Sequence, residues 1–298
     1  MSPLRIVVTG KRGQLVRSIL EAGAERGIEV VAVGRPELEL TVPATIEAAV
    51  AALKPQVLVN AAGYTDTERA EDEPEIAAAV NVAGASAVAA CARKLGVPLI
   101  HLSSAYVFDG SSSVPYRESD PVNPLGAYGR SKALGETAVA AAHSDCVILR
   151  TSLVFSPFGR NTLTNLLTRA EQRNEVPVVA DQRVNPTSAF DLAGAALTVA
   201  ANLACAPRNR ELFGTFHLAG SGAAAPAEFA EALFAFSAQR GGPSARVTRI
   251  RSDQYVTRVR RPLNTLLDCG RIAAVHGLVL PSWEASLRAC VERFLVAR

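Results

Sequence analysis

No pair of cysteines in this chain has the spacing of a metal or redox motif. The five cysteines, at positions 91, 146, 205, 269 and 290, are odd in number and far apart. That argues against a disulfide framework and for buried thiols in a reducing cytoplasm. The four histidines, at 101, 143, 217 and 276, show no ligand spacing, so no metal is expected. No run of 18 apolar residues occurs, and the opening LRIVV lacks a signal-peptide layout, so a cytoplasmic protein without a membrane partner is expected. Charge is also scarce in the sense that matters for nucleic acid. The 31 basic residues exceed the 28 acidic ones by only +3, and the excess is dispersed. Internal repeats and low-complexity linkers are missing. With 49% hydrophobic and 20% charged residues over 298 positions, the composition is that of a globular protein with a large core.

What is present is an alternation. Short β-branched runs at 5–10, 29–34, 56–63, 97–104 and 145–152 alternate with helical segments at 14–27, 43–53, 74–94 and around Tyr128. Near-continuous apolar strands separated by helices predict a parallel sheet covered on both faces, an α/β Rossmann-type doubly wound fold. After about residue 155 the rhythm changes. Short strands at 176–181 and 214–220 mix with helices near 190–205, 226–239 and 282–296, which predicts a smaller interleaved α/β lobe. The stretch GSSSVP at 110–115 reads as a loop.

The first β–α turn reads VVTGKRGQLV. Gly10 and Gly13 stand where a dinucleotide pyrophosphate meets backbone amides and a helix N-terminus, with Lys11 and Arg12 between them. Val16 takes the place of a third glycine and is expected to push the helix slightly outward. The second strand ends in Gly34 and Arg35 rather than in a carboxylate that would repel a 2′-phosphate. Three cations near that position favour NADP(H), with NAD(H) as the lesser alternative.

Tyr128 and Lys132 lie four residues apart in NPLGAYGRSKALGE. With five tyrosines and four lysines in the chain, about 0.07 such spacings would arise by chance. On a helix the two share one face. An ammonium about 5 Å from a phenol, at an effective dielectric near 20, favours phenolate by roughly 3 kcal/mol. That corresponds to a phenol about two units below its ordinary value near 10. The fourth strand ends in Ser103 and Ser104, which offer a hydroxyl to a substrate carbonyl.

A dinucleotide turn with Tyr-x-x-x-Lys resembles the short-chain dehydrogenase/reductase superfamily. Eight ordered segments narrow this: NAAGYT (60–65), AEDEPEIAAAVN (70–81), HLSSAYVFDG (101–110), NPLGAYGRSKALGE (123–136), LRTSLVF (149–155), DQRVNPTSAFDLA (181–193), FHLAGSG (216–222) and RRPLNTLL (260–267). Together they resemble the dTDP-4-dehydrorhamnose reductase family. The resemblance implies NADPH-dependent reduction of the C4 keto group of a dTDP-4-keto-6-deoxy-L-hexose. Ser104, Tyr128 and Lys132 would then be catalytic, with Tyr128 the proton donor and Lys132 holding the nicotinamide ribose. Gly13, Gln14 and Leu15 would meet the pyrophosphate, Glu39 and Leu40 the adenine, and the run Ala61, Ala62, Gly63, Tyr64 and Thr65 would pass beneath the cofactor. Ser104, Ala105, Tyr106, Leu153 and Arg260 would face the dTDP-linked deoxysugar, and a homodimer is compatible with the family. Residues 1–154, with about 189–211 returning, would form the dinucleotide-binding domain, and 155–298 mainly the nucleotide-sugar lobe.

Three departures from the family pattern bear on the sugar. Ser104-Ala105 stands where the family has Thr-Asp, Leu153 replaces a tryptophan, and SGAAAPAEF lacks the aromatic of the SGxxSW pattern. Fewer hydrogen-bonding and stacking partners point to a sugar with fewer or different hydroxyls, such as a 2,6-dideoxy or amino sugar. The arginines at 258, 260 and 261 serve either a diphosphate clamp or structural ion pairs. Two other functions suit the same fold: a non-catalytic NADP-binding regulatory subunit, and a nucleotide-sugar epimerase. Retention of all three triad residues opposes the first.

Overall fold

The computed structural model describes residues 3–296. Strands β1 (Arg5–Thr9), β2 (Glu29–Val33), β3 (Val57–Asn60), β4 (Leu99–Ser104) and β5 (Cys146–Thr151) alternate with helices α1 (Gln14–Glu25), α2 (Pro43–Leu53), α3 (Thr67–Asp72), α4 (Pro74–Ala78), α5 (Ala85–Leu95) and α6 (Ala127–Ala142). A π-helical turn, Ala79–Gly84, joins α4 to α5. The second half contributes β6 (Val154–Phe155), α7 (Thr162–Gln172), β7 (Glu175–Val179), β8 (Thr187–Ser188), α8 (Ala189–Cys205), β9 (Gly214–His217), α9 (Pro226–Gln239), β10 (Arg246–Ile250), α10 (Gly270–His276) and α11 (Trp283–Val296).

The central sheet is parallel, in the order β2-β1-β3-β4-β5-β9. It is the doubly wound Rossmann-type sheet that the alternation predicted. Strand order reverses between β1 and β3, and the connections diverging there open a crevice at the strands' C-terminal ends. Side-chain alternation divides the core. Ile6 and Val8 point to the face covered by α1 and α8, whereas Val7 and Leu58 point to the face covered by α2 and α5. Each such buried side chain contributes about 1.5–3 kcal/mol relative to exposure. The Pro74–Leu95 run is long and apolar enough to cross a membrane by length and composition. In the fold Ala85, Val88, Ala89 and Ala92 are packed into this core.

One element differs from expectation. The strand at 214–217, expected in the smaller lobe, pairs in parallel with β5 (Val147↔Gly214 to Arg150↔His217) and completes the main sheet. Phe216 and His217 are fully buried there. The smaller lobe has its own core, in which Phe155, Leu163, Phe229, Leu233 and Trp283 join α7, α9 and α11 to the β7–β10 pair.

Candidate active site

A cavity of about 2000 Å³ lies between the strand ends and the smaller lobe. Its floor is the first β–α turn. Gly10 has φ +102°, a conformation L side chains rarely adopt, and its amide bonds the Val33 carbonyl at 2.7 Å. A Cβ on Gly34 would stand 3.1 Å from Gly10 Cα, so the two strand ends touch backbone to backbone. Gly13 caps α1 without a side chain, and the first turn carries no acid. The first-turn amides therefore stay free for an anion. The Val16 side chain is buried beneath Gly10 with Ile6 and Val8. These features fit a dinucleotide pyrophosphate. Gln14 would meet it through its backbone, because its side chain is bonded to Val154 and Ser156.

All the residues assigned to the cofactor from the sequence line this cavity: Gly10, Lys11, Arg12, Gly13, Gln14, Leu15, Gly34, Arg35, Glu39, Leu40, Ala61, Ala62, Gly63, Tyr64, Thr65, Tyr128 and Lys132. Two of the three cations carry partners that the sequence reading did not pair. Lys11 bonds Glu37, and Arg35 sits 3.6 Å from Glu39. The Lys11 pairing holds the Glu37 carboxyl below its ordinary range. Arg12 makes no ion pair among the described residues. Asn81, which the sequence reading passed over, pins the run beneath the cofactor. It accepts from the Tyr64 amide at 2.8 Å and donates to the Tyr64 carbonyl at 2.9 Å and to Ser131 Oγ at 2.9 Å. A lone asparagine in the alanine run AAAVN was the available signal.

The end of β4 splits its two serines by strand alternation. Ser103 turns inward and bonds Glu136, which forms a buried ion pair with Arg150 at 2.7 Å. Ser104 faces the cavity. Helix α6 brings Tyr128 and Lys132 to the same wall, and it packs so closely that a Cβ on Gly129 would sit 2.2 Å from the Tyr106 carbonyl oxygen.

The electrostatics differ from the simple pair argument. Lys132 is buried and donates to the Leu102 carbonyl at 2.6 Å. Burial pushes its ammonium down to about 8, with Glu136 opposing. Packing around Tyr128 pushes the phenol up to about 12, while a hydrogen bond from Ser104 pulls it down. Loss of water thus raises the phenol, where the pair argument expected a lowering. Buried His101 is held neutral by desolvation and then by Lys132; its Nδ1 meets Asn60 at 3.0 Å and its Nε2 has no partner.

Of the residues assigned to the substrate from the sequence, Ser104, Tyr106, Leu153 and Arg260 line the cavity. Ala105 does not. It is fully buried with Val107, Phe108 and Leu267, so its assignment to the substrate is corrected: the turn after β4 directs it into the core. Leu153 has φ +35°, a strained backbone for a non-glycine residue, and its carbonyl accepts the Thr187 amide at 3.0 Å. The three arginines separate. Arg258 pairs with Asp72 and Arg261 with Glu68, whereas Arg260 is exposed and unpaired among the described residues. Asp181 serves structure, accepting the Ser252 amide at 2.9 Å.

A glycine-cornered turn at the sheet's reversal point, with a serine, tyrosine and lysine on the facing wall, defines an NAD(P)-dependent oxidoreductase of the Rossmann type. Residues 4–296 match the family model described as RmlD substrate binding domain. The chain is 41% identical over 293 residues to the dTDP-4-dehydrorhamnose reductase of Sinorhizobium fredii (strain NBRC 101917 / NGR234), covering 98% of each. It therefore belongs to the dTDP-4-dehydrorhamnose reductase family. Among solved structures, that of a dTDP-4-dehydrorhamnose reductase from Clostridium acetobutylicum is similar with a TM-score of 0.89 at 28% identity, covering 99% of this chain and 100% of that one. The Bacillus anthracis dTDP-4-dehydrorhamnose reductase, solved in complex with NADP, has a TM-score of 0.88 at 27% identity, covering 100% of both chains.

Proposed function

We propose that this protein reduces the C4 keto group of a dTDP-4-keto-6-deoxy-L-hexose with NADPH. The observation that carries the reading is the meeting of Ser104, Tyr128 and Lys132 on one wall of the cavity whose floor is the glycine turn. The reduced nicotinamide supplies hydride to the carbonyl carbon. Ser104 donates a hydrogen bond to the carbonyl oxygen, and Tyr128 gives that oxygen its phenolic proton as negative charge develops there. A phenol near 12 stays protonated at neutral pH, as a proton donor for reduction must. Lys132, anchored on Leu102, offsets the charge left on the phenolate.

The finer reading concerns the sugar. With Ala105 turned into the core, a preference for fewer hydroxyls rests on Leu153, an aliphatic wall where the family has an aromatic platform, and on SGAAAPAEF, which lacks the family's aromatic and brings Pro226 to the cavity. NADPH consumption against a panel of dTDP-4-keto-6-deoxysugars, with the C4 configuration read by NMR, tests both readings. Turnover of the panel is expected, with the 2-deoxy member preferred over the plain 4-keto-rhamnose precursor. A reversed order removes the finer reading. No turnover with intact NADPH binding would favour a regulatory subunit instead.

A further inference from the structure

Helix α3, TERAED, contributes little to the core, yet its three acids reach two parts of the site. Glu71 Oε1 accepts the Ala127 amide at 2.7 Å and so caps α6, whose N-cap position Gly126 has no side chain. Asp72 pairs with Arg258. Glu68 gathers three donors from the opposite lobe: Thr257 Oγ1 at 2.5 Å, the Arg258 amide at 3.3 Å and Arg261 Nη2 at 2.6 Å.

Those partners belong to the segment 252–261, which follows β10 and supplies Ser252, Tyr255, Thr257 and Arg260 to the cavity wall. From 256 to 261 no backbone amide bonds another backbone group among the described residues. The Arg258 amide goes to Glu68, and the Val259 amide goes to Thr257 Oγ1, itself bonded to Glu68. Val259 adds a buried apolar contact. Arg261 connects this strap to the reacting end. It bonds Thr257 Oγ1 at 2.9 Å and Glu68 on one side; on the other, its charge opposes the rise that burial gives the Tyr106 phenol, and the Tyr106 ring packs edge-on to Tyr128 at 5.9 Å.

We propose that Glu68 is a positioning residue that latches this strap across the cavity, and so sets Arg260 and Tyr106 for the nucleotide sugar. A single exposed ion pair contributes little to stability. Here one carboxylate holds two side chains and an amide of a segment without a backbone ladder of its own. Its effect is therefore to pre-order a binding wall rather than to stabilise the fold. The role in sugar binding rests on the reduction reading above; the latch itself does not.

The test compares wild type with Glu68→Gln, which keeps the shape and removes the charge, and with Thr257→Val, which removes one donor. In the ligand-free protein, amide exchange across 252–261 is expected to quicken about tenfold in Glu68→Gln and less in Thr257→Val. By calorimetry the dTDP dissociation constant is expected to rise about tenfold, with NADPH affinity and the thermal midpoint unchanged. In turnover, KM for the nucleotide sugar should rise in step while kcat stays within about threefold. Unchanged exchange, or parallel losses of dTDP affinity, NADPH affinity and thermal midpoint, would overturn the latch. Faster exchange in a protein whose wild type neither binds dTDP nor reduces the panel would sink the reduction reading and leave the latch standing.

Discussion

The walls proposed for the cofactor and for the sugar are made of different material. On the cofactor side the contacts are backbone: Gly10 against Gly34, free amides at the start of α1, and a run pinned by buried Asn81. On the sugar side they are the side chains of an irregular strap, held by Glu68 and Asp72 at the surface. Backbone shape survives most substitutions, whereas a wall of exposed side chains can be rebuilt residue by residue. The three family departures, at Ala105, Leu153 and SGAAAPAEF (221–229), fall on the wall proposed for the sugar or just behind it. A chain can thus keep one hydride chemistry while its sugar changes.

The largest expected effect lies at the junction of the two walls. Tyr128→Phe should lower kcat/KM by roughly 10²–10⁴-fold, the usual contribution of a general acid, with NADPH affinity retained in a fluorescence titration. Activity loss with lost NADPH binding would make Tyr128 part of the cofactor wall instead.

Stability should distinguish core from rim. Glu136→Gln leaves Arg150 buried and unpaired behind Ser103, and denaturant unfolding should report a loss of about 3–5 kcal/mol. An unchanged midpoint would mean that water reaches this pair.

The pH profile separates Lys132 from Tyr128. The Lys132 ammonium sits near 8, below its ordinary value, so its charge disappears as pH rises through that range. Turnover should therefore fall above about pH 8, although the phenol, near 12, is still protonated. A plateau extending toward pH 10 would show that bound cofactor restores the ammonium or that its charge is not needed.

The smallest effect concerns the cofactor's phosphate. Arg12 carries no ion pair among the described residues, whereas Arg35 stands near Glu39. Arg12→Ala should reduce the preference for NADPH over NADH by several-fold, and Arg35→Ala by less. The opposite order would mean that Arg35 leaves Glu39 when NADPH binds.

The sequence by itself determined what depends on near neighbours. Near-continuous apolar runs and helical patterns marked the alternating strands and helices, the glycine turn followed from backbone sterics, and an i, i+4 spacing put Tyr128 and Lys132 on one helix face. Only the tertiary structure decided what depends on distant ones. It placed β9 in the main sheet, turned Ala105 into the core, paired Lys11 with Glu37, and joined Glu68 to Arg261. It also reversed the expected shift of the Tyr128 phenol. The physical reason is common to all of these. Local sterics and periodicity act over a few residues, whereas desolvation and ion pairing depend on which surfaces the fold brings together.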